Sequence, residues 1–258
     1  VWVHSDDKLE GAETMLGRYR QNPALPEYHE KAGYAEEHRQ QKKREHEQFQ
    51  KKVYDRNRIL LWQNMTGLLS GALMAACVTI FILRFFDRGD SIFQALSIER
   101  YGDGLPPAER LPEILRGEIW RLFTPMLLHF GLLHLFFNML WLKDLGTAIE
   151  KRYSSLTLAM LILAIASTSN LAQYLVGGPA FGGMSGVIYG LFGYIWMQGK
   201  YNPSSGFHLD RQVVIMMIAW FFLCLFGLLG PIANTAHGVG LLSGMTIGYV
   251  SALISTRL

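Results

Sequence analysis

Cysteine is scarce: there are two in 258 residues, and nothing resembles the metal-ligand spacing of Cys and His, so a metal centre of that kind is excluded. Cys77 and Cys224 lie inside apolar runs and read as small buried side chains. Charge is also sparse. Asp, Glu, Lys and Arg make up 17% of the chain against 50% hydrophobic residues, a low proportion for a soluble protein. A net charge of +3 is modest; it fits basic loops at a cytoplasmic membrane face better than binding to nucleic acid. No basic-then-apolar leader is present. The chain opens on Val1-Trp2-Val3, apolar and strand-like, which reads as a small domain that has lost its first part. No repeat at a period of about 20–50 residues is visible, and no low-complexity tract beyond one charged linker.

What is present divides sharply. Residues 1–34 read as the remainder of a small soluble domain, with a helical rhythm of Leu9, Ala12, Leu16 and Tyr19 that ends at Asn22-Pro23. Residues 35–58 are a dense mixture of Glu, Lys, Arg, Gln and His, read as a solvated linker. Residues 59–258 carry apolar runs long enough to cross a bilayer. The fold expected is an all-α membrane protein: six transmembrane helices with a small, truncated, soluble N-terminal α/β piece. The helices are predicted at about 59–86, 131–141, 156–175, 185–198, 212–228 and from 235 to before Arg257. Lys143, Glu150, Lys151 and Arg152 are expected in a short inner loop, and 200–211 in another. Arg56 and Arg58 precede the first helix, so both termini are expected in the cytoplasm.

One stretch could carry chemistry: Phe181-Gly182-Gly183-Met184-Ser185-Gly186. The glycines let the backbone turn with its N–H groups uncovered, and a helix beginning near Ser185 turns the positive end of its dipole toward that hydroxyl. By itself the motif is also what close helix packing would produce. A serine nucleophile needs a base, and His237 in the last apolar segment is the candidate. His237, Gly240, Gly244 and Gly248 fall on one helix face, a stripe that would admit a small-rich neighbour such as the helix with Gly186, Gly190 and Gly193. His134 and Asn138 are four apart and share a face of the second helix; they serve either as interhelical glue or as groups aimed at a common target. The helix starts bring Ser185, His237, His134 and Asn138 to one layer near the outer surface. Ser185 would attack a carbonyl and His237 would take its proton. The Ser185 N–H, the His134 ring and the Asn138 amide would form the oxyanion hole. No acidic residue offers itself as a third member, so the pair is a dyad. Tyr189, one turn below Ser185, either holds the His237 ring or is simply an interior aromatic.

Gly117-Glu118-Ile119-Trp120-Arg121, His129…His134…Asn138, Gly182-Gly183-Met184-Ser185-Gly186 and Ala236-His237-Gly238-Val239-Gly240 together resemble the rhomboid family of intramembrane serine proteases, in its bacterial GlpG type. The resemblance implies a six-helix bundle in the bacterial inner membrane that cuts other membrane proteins near the outer boundary, after a small residue. It implies Ser185 as nucleophile, His237 as base, and His134 and Asn138 in the oxyanion hole. Gly183 and Gly240 fall within the matching motifs as supporting positions, and Trp120 and Arg121 match a loop that dips into the bilayer. Phe137 and Trp220 correspond to aromatics at a lateral substrate entrance. The partners implied are transmembrane protein substrates and lipid, with no cofactor, no metal and no nucleic acid; the oligomeric state is open. Three other readings stand beside this one: an inactive rhomboid relative that binds membrane proteins, a small transporter lined by His134, His237 and Asn138, and a purely structural bundle.

Overall fold

The computed structural model describes residues 9–24, 26, 36–44, 66–87, 90–100, 111–226 and 232–255. The strand-like Val1-Trp2-Val3, Arg56, Arg58, residues 59–65 of the first expected span and 227–228 of the fifth lie outside them. The chain forms two compact units, Val1–Met65 and Thr66–Leu258. The described part of the first unit is helical, over Leu9–Gln21 and over 36–44. Glu10 in the first turn and Arg18 and Arg20 in the last turn of Leu9–Gln21 complement the helix dipole. Pro23 stands two residues past its end, where a continuing helix would lack an N–H donor.

All the regular elements among the described residues of the second unit are helices. Its principal helices are α1 (Leu68–Phe86), α2 (Leu132–Trp141), α3 (Ser155–Gly177), α4 (Ser185–Tyr201), α5 (Arg211–Leu225) and α6 (Asn234–Ser255). Three of them, α1, α3 and α6, are long and apolar enough to cross a membrane; α5 is apolar but shorter. Three such helices are what a multi-pass membrane protein requires.

One expectation fails. Residues 143–152 are not a loop. The helix of α2 continues through a π segment, Leu142–Gly146, and then Thr147–Arg152. The reason is packing: Leu142, Leu145, Gly146, Ile149 and Glu150 are buried, so the inward face persists past the charged residues that suggested an end. Glu150 then does a specific job. Its carboxylate accepts the N–H groups of Leu69 at 2.7 Å and Ser70 at 3.0 Å, and the Ser70 hydroxyl at 2.8 Å. The Thr147 hydroxyl accepts the Gly67 N–H at 3.2 Å. The first turn of α1, whose donors have no intrahelical partner, is thus capped from residues about 80 positions away.

Helix α4 is the centre of the unit: from Gly186 to Ile195 every residue is buried. It packs on α6 with almost no side chain between them. A Cβ at Gly240 would fall on the Gly186 carbonyl oxygen, and one at Gly244 on that of Gly190. At Gly248 it would lie 2.7 Å from the Tyr194 carbonyl oxygen. From the other helix, a Cβ at Gly193 would reach within 2.6 Å of the Leu241 carbonyl oxygen. Backbone thus meets backbone along three turns of α6, which fixes the register of α4 on α6.

Candidate active site

The register set by the glycines decides where the starts of α4 and α6 meet. Ser185 is the first residue of α4 and His237 the fourth of α6. Ser185 Oγ lies 2.7 Å from His237 Nε2. His237 is buried, and its other ring nitrogen, Nδ1, has no hydrogen-bond partner among the described residues. No described carboxylate therefore orients the imidazole. The ring of Tyr189 lies against it instead, centroids 4.9 Å apart and tilted by 39°. Tyr189 is itself fixed by its hydroxyl, which donates to the Met217 carbonyl at 3.2 Å, and by an edge contact with Phe221. The backbone of α6 is held just before the histidine: the Ala236 N–H donates to Gln173 Oε1 at 3.1 Å.

The loop entering α4 brings a third helix into the site. Gly183 has φ +126°, a conformation open to glycine, and its N–H donates to the Pro125 carbonyl at 3.0 Å. A Cβ there would stand 2.7 Å from Cε1 and Nε2 of His134. The His134 imidazole therefore lies directly over Gly183, beside Ser185. Asn138, one turn further along α2, donates its amide to the His134 carbonyl at 2.7 Å. That occupies one of its two N–H groups and holds its side chain against the first turn of α2. Met184 caps α4 without a side-chain bond, so the first N–H groups of the helix lack intrahelical partners. An anion forming next to Ser185 Oγ would meet these N–H groups, the positive helix end and the His134 ring together.

Around this centre, residues 111–128 form a platform. Arg121 is buried, donates to the carbonyls of Gln94 at 2.8 Å and Ser97 at 2.7 Å, and pairs with Glu118 at 2.6 Å. The Arg121 hydrogen bond holds the Glu118 carboxyl below the usual glutamate range; partial desolvation opposes this, and the charges of Arg121, Arg100 and Arg116 reinforce it. Trp120 turns outward, half exposed, where an indole suits a membrane interface. Asn170 of α3 donates to the Leu122 carbonyl at 2.9 Å, tying platform to bundle. Phe137 of α2 and Trp220 of α5 touch, centroids 5.5 Å apart, both partly exposed along one seam.

The structure thus brings Ser185, His237, His134, Gly183, Tyr189 and Asn138 into one cluster. Gly240 lies against Gly186, one turn of α6 beyond His237. Trp120, Arg121, Phe137 and Trp220 lie outside the cluster, in the platform and the α2–α5 seam. Sequence reasoning did not single out Pro125, whose carbonyl pins Gly183; it read Gln173, whose amide oxygen pins α6, as a residue that packs and hydrogen-bonds within the bundle. Gln173 is a polar residue in an apolar helix, which was the available clue; Pro125 gave none. No group of His, Cys, Asp and Glu able to hold a metal ion occurs among the described residues.

Comparison with protein-family models matches residues 116–253 to the Rhomboid domain, more than half of the chain and every residue of the cluster. With its apolar spanning helices, the chain belongs to the rhomboid family of intramembrane serine proteases.

Proposed function

We propose that this protein is an intramembrane serine endopeptidase that hydrolyses peptide bonds within or next to the transmembrane segments of other membrane proteins. The observation that carries the proposal is the 2.7 Å contact between Ser185 Oγ and His237 Nε2, two side chains 52 residues apart in sequence. Ser185 Oγ attacks the scissile carbonyl carbon while its proton passes to His237 Nε2. The carbonyl oxygen becomes an anion held by the Ser185 N–H, the His134 ring and the second Asn138 N–H. Collapse of this intermediate expels the amine, which takes the proton from His237, and leaves an ester on Ser185. Water then attacks the ester as His237 takes its proton, and that proton passes to Ser185 Oγ as the acyl–Oγ bond breaks and the acid is released. Every step uses the chain's own groups and needs no cofactor.

Six segments crossing a bacterial inner membrane, with both termini in the cytoplasm, fit this reading. Lys143, Lys151, Arg152, Lys200 and Arg211 fall near the ends of helices opposite Ser185 and His237, as a cytoplasmic face requires. The site then lies toward the outer surface, open to water. A substrate helix would enter between α2 and α5, at the Phe137–Trp220 contact, and would unwind most readily at Gly or Pro to offer a carbonyl.

A fluorophosphonate probe tests the reading on the purified full chain in detergent or liposomes. Labelling of the parent protein, its loss in Ser185→Ala and His237→Ala, and parallel loss of cleavage of a single-span substrate are the expected results. A parent protein that neither labels nor cuts is an inactive member that binds membrane proteins.

A further inference from the structure

The short helix Ser91–Leu96 and the entry to α2 are joined to α1 at a residue that neither the site nor the family match explains. Arg84 sits in the last turn of α1. Its guanidinium lies 5.5 Å from the ring centroid of Phe93 and 5.1 Å from that of Phe130, and the two rings meet edge to face. Arg84 Nη1 donates to the His129 carbonyl at 3.4 Å, and Nη2 lies 3.7 Å from an exposed Asp90 carboxylate. One planar cation therefore touches the end of α1, the short helix Ser91–Leu96 and the segment that leads into α2. Meeting two aromatic rings while donating a hydrogen bond from a separate N–H suits a guanidinium better than a compact ammonium.

The segment it grips leads to the site. His129 and Phe130 come immediately before Gly131, the N-cap of α2. The buried His129 ring bonds the Leu127 carbonyl through Nδ1 at 3.2 Å and lies against the His134 ring, centroids 5.0 Å apart. The backbone at His129 is thus held from one side by Arg84 and from the other by its own ring. His134, which rests on Gly183 beside Ser185, is only five positions further along the chain.

We infer that Arg84 is a positioning residue: its guanidinium, lodged against Phe93 and Phe130, holds the His129 carbonyl and so sets the entry of α2 and the place of the His134 ring over Gly183. This rests on the proposed protease reading. Arg84 touches no reacting atom and acts only through His134.

The test compares the parent with Arg84→Leu, Arg84→Lys, His134→Ala and the double variant Arg84→Leu/His134→Ala, using the full chain in liposomes. The readouts are the rate of fluorophosphonate labelling, kcat and KM on a single-span substrate, and thermal unfolding. Displacement of an oriented group by an ångström lowers rates by about 10²-fold, so Arg84→Leu is expected to slow labelling and kcat by about 10- to 100-fold with KM within twofold. Arg84→Lys keeps the charge and the stem, folds like the parent, and still slows labelling, because it loses the guanidinium's contact with the two rings. In the His134→Ala background Arg84→Leu adds no further loss, since the effects run through one ring. Parental labelling by Arg84→Lys, or losses that multiply in the double variant, overturns the inference. A parent protein that does not label at all overturns the protease reading instead.

Discussion

Replacing Gly183 with alanine separates two effects that the structure assigns to one position. The first is conformational: at φ +126° an L side chain is strained, and such strain amounts to about 1–3 kcal/mol. The second is spatial. The new Cβ would stand 2.7 Å from Cε1 and Nε2 of His134, so the imidazole must retreat by about 0.8 Å to reach the ~3.5 Å of carbon contact. A shift of that size in a group that meets developing charge is expected to lower kcat by about 10²-fold. Gly178→Ala isolates the first effect, because Gly178 also has positive φ, +75°, and has no atom within 4 Å of its would-be Cβ. Both variants should unfold at lower temperature. Only Gly183→Ala should lose turnover, with KM little changed. The assay is cleavage of a single-span substrate in liposomes, with thermal unfolding measured on the same preparations. Turnover by Gly183→Ala within twofold of the parent, or an equal loss in Gly178→Ala, refutes the placement of His134 over Gly183 as the cause.

Two further outcomes are expected. Gly244→Ala puts a methyl group onto the Gly190 carbonyl and should lower stability by about 1–3 kcal/mol, the usual range for overpacking, whereas Gly238→Ala meets only Phe221 Cζ at 3.8 Å and should gain about 0.5–1 kcal/mol from the helix preference for alanine; unfolding in denaturing detergent checks both. Glu118 titrates below an ordinary glutamate, so its pairing with Arg121 stabilises the platform fully above the unfolded-state value of about 4.5 and is lost as pH falls from there through the lower folded value; melting curves over that acid range should be flatter for Glu118→Gln than for the parent.

The fold was legible where the sequence obeys one local rule. Apolar runs marked helices, and loop charges ordered their ends, so α3 at Ser155–Gly177 and α5 at Arg211–Leu225 lie within a few residues of the predicted 156–175 and 212–228. The glycine stripe of α6 gave its packing face, because Gly240, Gly244 and Gly248 share one side of a 3.6-residue helix. Two features were not legible. The helix over 142–152 was hidden because charged residues at an inner helix end look like a loop, while its buried face shows only once α1 is packed against it. Arg84 was overlooked because its partners Phe93, His129 and Phe130 are scattered along the chain, and no periodicity connects them. In the site itself, residue types and helix starts suggested which groups share a layer. The separation of Ser185 from His237 depends on the depth to which α4 and α6 interlock, which backbone contact rather than side-chain pattern sets.

The Glu150 carboxylate has a bearing on biosynthesis. A ribosome delivers Leu69 and Ser70 to the membrane long before it has made the group that satisfies their donors. Until then the donors of that turn need water or another partner. Ser155, at the head of α3, donates its hydroxyl to the same carboxylate, so one side chain ties together the starts of α1 and α3. A loss of Glu150 would therefore release two helix starts at once.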